Sequence, residues 1–446
     1  MSYRKFTERI LSVSLGGFLE WYDYSIYAVF AVIISAQIFG SIGAIFLVFL
    51  SYALGFVMRP IGSFFFGHIG DKFGRKKALT TTFWLMGGGT ILTGLVPGHS
   101  SIGIFAPILI TCARIVQGFG TGGEWGSASS YLIEIGRNNR RGLYSSVQEF
   151  IALSGIMTST MVGLVLTQLP SSLLSSIGWR VPFLVGGVAV IILAYLSRSG
   201  LPETDSFERI KAINKVESSP ILRTLKKDYK PFLIIIFGTA GLTTAFYAGI
   251  TYMTTYIVTI THQSLRLALL TTLTSLVVVT ALTPIFGFLS DRLRTRRNLF
   301  LLSTLLLIPV TPLFFLVVGT KQVELILLLA AIFGVVCSLG TGTLISFVSE
   351  SFPTSERVTG NASYNISATY FGGFAPVISI SLIGLWHSSL APAVYVVAMA
   401  ALSAVAIWFA KDTGRMEKLS DAQSIYNESL EEKPTDTNKT LYPTHV

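Results

Sequence analysis

Five ionisable residues lie inside otherwise apolar stretches: Glu20, Asp23, Arg59, Arg114 and Glu124. A charge near the centre of a bilayer costs roughly 3 kcal/mol or more, so each is a candidate for handling protons or ions. The carboxylates can take up and release a proton. The guanidiniums can hold a carboxylate through paired hydrogen bonds. A helical rise of about 1.5 Å per residue puts Glu20 roughly 15 Å, Asp23 roughly 20 Å, Arg59 about 15 Å and Glu124 roughly 14 Å from one common face. The expectation is a layer in which Arg59 pairs with Glu124 or Asp23, and one carboxylate among Glu20, Asp23 and Glu124 carries a proton. An arginine neighbour and burial act oppositely on a carboxylate, so proton occupancy can follow conformation.

Arg114 lies about 15 Å beyond Glu124 on the same span, three residues before Gln117. Arg114 and Gln117 are candidates for recognising an anionic solute; the competing role is a tie to the first span through Asp23. Tyr24 and Tyr27 follow Glu20 at helical spacing, and Tyr364 and Asn365 lie together late in the chain. These four are candidate cavity lining, against the competing reading of plain helix packing. Glu134 closes its span beside Arg137, Arg140 and Arg141, which suits a tie between helix ends. Glu149 sits about two turns inside its span, as a gate residue or a side chain reaching back to the surface.

What must position these residues is a membrane bundle. Hydrophobic residues make up 51% of the 446 and charged residues only 13%, against about a quarter charged in soluble domains. Runs long enough to cross a bilayer fall near 12–37, 43–68, 79–97, 104–132, 143–168, 180–198, 231–259, 267–290, 298–318, 324–349, 360–385 and 391–410. With both termini in the cytoplasm, 28 of the 33 Lys and Arg fall on the cytoplasmic side. The net charge of +10 therefore reads as topology rather than as nucleic-acid binding. The polar stretch 198–230, with Pro202 and Pro220, reads as a cytoplasmic linker. The expected units are an N-terminal six-helix bundle (1–197), the linker, a C-terminal six-helix bundle (231–410) and a cytoplasmic tail (411–446).

An internal repeat supports two halves. Gly67–Lys77 (GHIGDKFGRKK) and Gly287–Arg297 (GFLSDRLRTRR) place Asp71 and Asp291 at an offset of 220, and Gly-Thr-Gly at 120–122 recurs at 340–342. In the first copy Gly67 and Gly74 permit close packing, Asp71 can cap or neutralise neighbouring helix ends, and the basic residues from Arg75 on can anchor the turn at the anionic leaflet, against the competing reading of a plain positive-inside loop. In the second copy Arg294 and Thr295 replace the Gly-basic pair.

That loop resembles the signature loop of the major facilitator superfamily. GGFLEWYDYSIYA (16–28), RPIGSFFFGHIGDKFGRKKAL (59–79), RIVQGFGTGGEWGSA (114–128), GWRVPF (178–183) and FPTSERVTGNASYNISATYFGGFAP (352–376) are similar to its metabolite:proton symporter branch. The resemblance spans roughly residues 10 to 410. It implies an all-α fold of twelve transmembrane helices in two pseudo-repeated bundles, a place in the cell membrane, and proton-driven uptake by alternating access. The solutes it implies are organic acids, with zwitterionic osmolytes such as proline or betaine as the alternative. The expected partners are a small-molecule substrate, protons and the lipid bilayer, with the chain acting as a monomer. No nucleic acid, cofactor or metal is expected. There is no G-x-x-x-x-G-K-[ST] loop, no H-E-x-x-H and no Cys/His cluster, so neither an enzyme nor an ATP-driven pump is indicated. A passive facilitator or channel is the remaining alternative class.

Overall fold

The computed structural model describes residues 3–41, 44–73, 75–122, 140–200, 229–320, 322–352 and 357–412. They form α1 (Tyr3–Val29, resumed by Ala31–Ile38), α2 (Ile45–Phe73), α3 (Arg75–Leu95), α4 (Phe105–Thr121) and α5 (Arg141–Leu166). Next come α6 (Ser171–Leu173, a π-helical turn Leu174–Gly178, then Val181–Gly200) and α7 (Tyr229–Phe246, a π-helical turn Tyr247–Thr251, then Met253–Thr259). The chain continues with α8 (Leu265–Leu293), α9 (Arg297–Val318) and α10 (Val323–Glu350). It ends with α11 (Arg357–Ser367, a π-helical turn Ala368–Gly373, then Ala375–Trp386) and α12 (Ala391–Trp408). Among the described residues nine helices are long and apolar enough to cross a membrane, ten if the two parts of α1 count as one bent span. Large apolar side chains such as Leu95, Val165, Val185 and Leu385 face outward, while Thr, Ser and charged groups are buried. That inversion suits a lipid solvent, which gives no reward for hiding leucine.

These are twelve helices in two pseudo-repeated six-helix bundles, and the repeat is visible in the packing. The Cα of Gly122 lies against the Arg59 carbonyl and the Ser63 backbone of α2, where a side chain would collide. Gly342, 220 residues on, meets Thr283 of α8 in the same way; an added Cβ would sit 2.6 Å from the Thr283 carbonyl. Only glycine lets the helices approach this closely. The bundles meet where α5 packs on α8 and α10, α2 on α11, and α1 on α7.

Two helix interruptions, at Phe30 and Tyr252, fall near the offset of the repeat. α1 bends by 63° at Phe30, where the dihedrals leave the helical well (φ −99°, ψ 13°). α7 breaks at Tyr252, directly after its π-helical turn. Such turns insert an extra residue and re-aim the side chains that follow.

The repeated turn of the sequence is mostly helix. α2 runs through Phe73 and α3 starts at Arg75, so Gly67, Asp71 and Arg75 fall on helix ends; their side chains, and Gly74, lie outside the described residues. In the second copy α8 ends at Leu293, and Arg294 adopts the left-handed conformation (φ 51°). The position matching Gly74 thus has a backbone that favours glycine, which explains why the replacement by Arg294 looked anomalous in the sequence.

Candidate transport site

Two buried ion pairs tie the N-terminal bundle together. Arg59 of α2 meets Glu20 of α1 at 3.0 Å. Its guanidinium stacks over Phe56 and Tyr24, each 4.2 Å from the ring centroid, and over Trp21 at 5.4 Å. Arg59 Nε has no hydrogen-bond acceptor among the described residues. The partner expected from sequence was Glu124 or Asp23. Glu20 takes that place, and Glu124 lies outside the described residues.

Asp23 instead faces Arg114 at 3.6 Å. Gln117 donates to Asp23 and, at 2.7 Å, to Thr90, while Arg114 donates to Thr93 at 3.1 Å. The Arg114 guanidinium also stacks on Tyr27 at 4.3 Å. Arg114, Gln117 and Asp23 are almost wholly inaccessible. They form a polar knot linking α1, α3 and α4, and neither Arg114 nor Gln117 lines the cavity described next. The contact with Asp23 matches the competing role, a tie to the first span, while Arg114 Nε and Nη1 and Gln117 Oε1 have no hydrogen-bond partner among the described residues.

Between the bundles lies a partly open pocket whose empty space, open solvent included, is about 450 Å³. Trp21 of α1 and Glu149 of α5 face Thr243 and Tyr247 of α7, Thr341 of α10 and Tyr364 of α11 across it. At about 1.5 Å per residue these positions lie roughly 10–27 Å from the helix ends on the face that carries the chain ends. Tyr364 is among the lining residues. Asn365, the next residue, is half-buried and not among the lining residues. Trp21 and Tyr247 connect the cavity to Arg59: their rings are 6.4 Å apart, and Tyr247 interacts electrostatically with Arg59. The Tyr247 hydroxyl is buried without a hydrogen-bond partner among the described residues.

Tyr24 and Tyr27 do not line the cavity. They sit in an aromatic plug on its far side, because four and seven residues beyond Glu20 carry them about 6 and 10 Å further along the helix. Tyr27 donates to or accepts from Ser51 at 2.6 Å and lies parallel to Tyr52. Tyr24 packs edge-on against Tyr52 and Phe56. The plug crosses between the bundles through Phe56–Tyr247 at 5.5 Å and Phe49–Tyr252 at 5.6 Å. The π-helical turn of α11 seats Gly373 against the Phe56 ring.

At the opposite mouth, Asp291 accepts from the amides of Gly142 and Leu143, both at 2.9 Å. It therefore closes the first turn of α5, where unpaired amides and the helix dipole favour an anion. Arg296 bridges Asp291 at 2.6 Å and Glu350 at 3.3 Å. Asp412 accepts from the Thr295 hydroxyl at 2.6 Å and the Arg296 amide at 3.0 Å. Asp291 was legible in the sequence; Arg296, Glu350 and Asp412 were not, since each reads alone as an ordinary helix-end charge. Glu134, their expected counterpart at the end of the fourth span, lies outside the described residues.

Two helical bundles facing each other around a partly polar cavity, each mouth closed by cross-bundle contacts, define a multi-pass membrane transporter. The family profile described as Major Facilitator Superfamily matches residues 13–376, and again 259–439. The chain belongs to that superfamily. It is 31% identical to the citrate-proton symporter of Salmonella typhi, over 90% of this chain and 94% of that one. It is 29% identical to the ectoine/proline transporter of Corynebacterium glutamicum, over 96% and 88%. The xylose transporter XylE from E. coli, in a partially occluded inward open conformation, superposes with a TM-score of 0.70 at 19% identity, covering 92% of this chain and 98% of that one. The family and these relatives are transporters, not enzymes.

Proposed function

We propose that this protein is a proton symporter that carries a small carboxylate-bearing solute inward across the cytoplasmic membrane, its bundles rocking around the cavity. The distribution of basic residues supports a cytoplasmic placement of the face of the chain ends, and relatives include a citrate-proton symporter and an ectoine/proline transporter. The single observation that carries the mechanism is the Arg59–Glu20 pair at 3.0 Å, just behind Trp21 of the cavity wall.

A proton on Glu20 removes the charge that occupies Arg59. The guanidinium, with its unbonded Nε, then takes the carboxylate of the solute. Conversely, a carboxylate on Arg59 leaves Glu20 without its counter-ion and favours its protonation. Each ligand raises the affinity of the other, which is the thermodynamic content of coupling. Asp23, paired with Arg114 one turn away, and Glu124 remain further members of the proposed proton group. Tyr364 and Tyr247 offer hydroxyls to orient the solute, and Asn365 is placed beside them. Asp71 and Arg75 with Gly67 and Gly74, Glu134 and Asp291 form the proposed cytoplasmic gate. The chain is proposed to work as a monomer, with no cofactor.

The test uses purified protein in proteoliposomes with an imposed inward proton gradient, offered citrate and proline in turn. Saturable accumulation that a protonophore collapses is expected. Glu20→Gln, which imitates the protonated acid, is expected to keep solute counterflow and lose gradient-driven accumulation. Accumulation by Glu20→Gln equal to that of the unaltered protein removes Glu20 from the coupling role. Saturable flux without accumulation in the unaltered protein makes it a facilitator.

A further inference from the structure

We propose that Glu149, with the aromatic rings around it, is a cation subsite that receives the positively charged end of the transported solute. This rests on the reading of the cavity as the transport site. It narrows the solute to one bearing both an ammonium-type cation and a carboxylate.

Among the described residues the other deep acids have arginine partners: Glu20 has Arg59, Asp23 has Arg114, and Asp291 and Glu350 share Arg296. Glu149 has neither an ion pair nor a hydrogen bond among the described residues, and it borders the cavity half-buried on α5. An unpaired carboxylate within a membrane bundle is costly unless something comes to neutralise it. The cavity it borders is also lined by Trp21, Phe246, Tyr247 and Tyr364, with Thr243 and Thr341, and Tyr364 interacts with it electrostatically. Aromatic faces and a carboxylate together attract an ammonium ion, and a quaternary one in particular, which presents no hydrogen to donate.

The cavity is therefore bipolar. Arg59 stands behind Trp21 and Tyr247, outside the lining itself, and Glu149 is among the lining residues. Tyr364 interacts electrostatically with both. A zwitterionic amino or quaternary-ammonium acid satisfies both groups with no net charge brought in. A di- or tricarboxylate places a second anion against Glu149, a repulsive feature that rejects it. The sequence alone pointed to organic acids; the placement of Glu149 turns that choice round.

The probes are betaine, proline, tetramethylammonium and citrate, titrated against the purified full-length protein in detergent and read by thermal shift. The unaltered protein is expected to be stabilised by betaine or proline, weakly by tetramethylammonium, and not by citrate. Glu149→Gln is expected to weaken betaine or proline binding about 10- to 100-fold, as loss of a charged partner does, and Glu149→Asp to retain most of it. Unchanged betaine and proline affinity in a folded Glu149→Gln variant overturns the subsite. So does an unaltered protein that none of the three cation-bearing probes stabilises, or one that citrate stabilises better. If Glu149→Gln binds these probes normally but loses gradient-driven accumulation in proteoliposomes, Glu149 is a proton carrier and the subsite is wrong. If betaine binds through Glu149 but its accumulation ignores a protonophore, the symport reading fails and the subsite stands.

Discussion

Replacing Glu20 by Gln leaves Arg59 buried without its counter-ion, and the size of that loss follows from the geometry. At 3.0 Å and an effective dielectric constant of about 20, the attraction is about 5 kcal/mol. Desolvation of both charges offsets much of it, yet removing one partner from a buried pair still costs about 3–5 kcal/mol, because the other stays in place uncompensated. Arg59→Gln suffers the same fate from the other side, with further loss of its stacking on Phe56 and Tyr24. The double variant Glu20→Gln/Arg59→Gln buries no charge at this position, so its loss is expected to be well below the sum of the singles. The assay is a double-mutant cycle on unfolding in mixed detergent–SDS micelles. A coupling of about 2–4 kcal/mol is expected on these grounds. Single-variant losses that add to within about 0.5 kcal/mol would refute the pair as an energetic unit, and with it the argument that protonating Glu20 releases Arg59.

Further perturbations separate packing from gating. Gly118→Val drives a side chain into the Gly55 backbone of α2; overpacking of this kind costs about 1–3 kcal/mol or more, and reduced yield with a lowered midpoint in a thermal melt is expected. Arg114→Gln breaks the inaccessible pair with Asp23 and is expected to lower thermal stability first; an affinity change at undiminished stability would place Arg114 on the solute instead. Asp291→Asn weakens the charged cap on Gly142 and Leu143 and loses the pair with Arg296; faster reaction of a cysteine placed at Ser146 with a soluble thiol reagent is the expected sign of a loosened mouth. Arg294→Gly relieves the left-handed backbone at φ 51° and is expected to stabilise by roughly 1 kcal/mol, seen as a higher melting midpoint.

The class of fold and the layer of charges were legible because both depend on position along a helix. Apolar runs gave the spans, and a rise of about 1.5 Å per residue gave depth. The 220-residue offset even anticipated equivalent contacts, with Gly122 and Gly342 pressed against α2 and α8. What depth alone leaves open is direction around the helix axis and between neighbours. Glu20 and Asp23 are three residues apart and share one layer, so either suits Arg59 until the placement of α2 and α4 beside α1 is known. That placement gives Arg59 to Glu20 and Arg114 to Asp23. Glu149 illustrates the same limit. Two turns into α5 it reads as a gate residue or a side chain reaching back to the surface, and only the approach of α7, α10 and α11 turns that stretch of helix into a cavity wall. The Arg296 cluster was hidden for a further reason: its members come from α8, α9, α10 and the residue Asp412 after α12, so no local spacing announces it.

The energetics of the two mouths bear on how such a cavity alternates. On the far side the bundles are joined by the ring pairs Phe56–Tyr247 and Phe49–Tyr252. At about 0.5–1.5 kcal/mol for each aromatic pair, that seal is worth roughly 1–3 kcal/mol beyond simple burial. On the side of the chain ends, Asp291 holds two amides of α5, and two charge-assisted bonds contribute roughly 3–6 kcal/mol. The seals differ by only a few kcal/mol, so neither open state is a deep trap. A shift of a few kcal/mol between conformations is what a bound ligand can supply by differential affinity. A solute that bridges Arg59 in the N-terminal bundle to the hydroxyls of α7 and α11 supplies it by drawing the bundles together from the middle. A second carboxylate on that solute, about 5 Å from Glu149, would cost about 3 kcal/mol at an effective dielectric constant of about 20. That is as much as one seal contributes, so such a solute would oppose the closure on which transport depends.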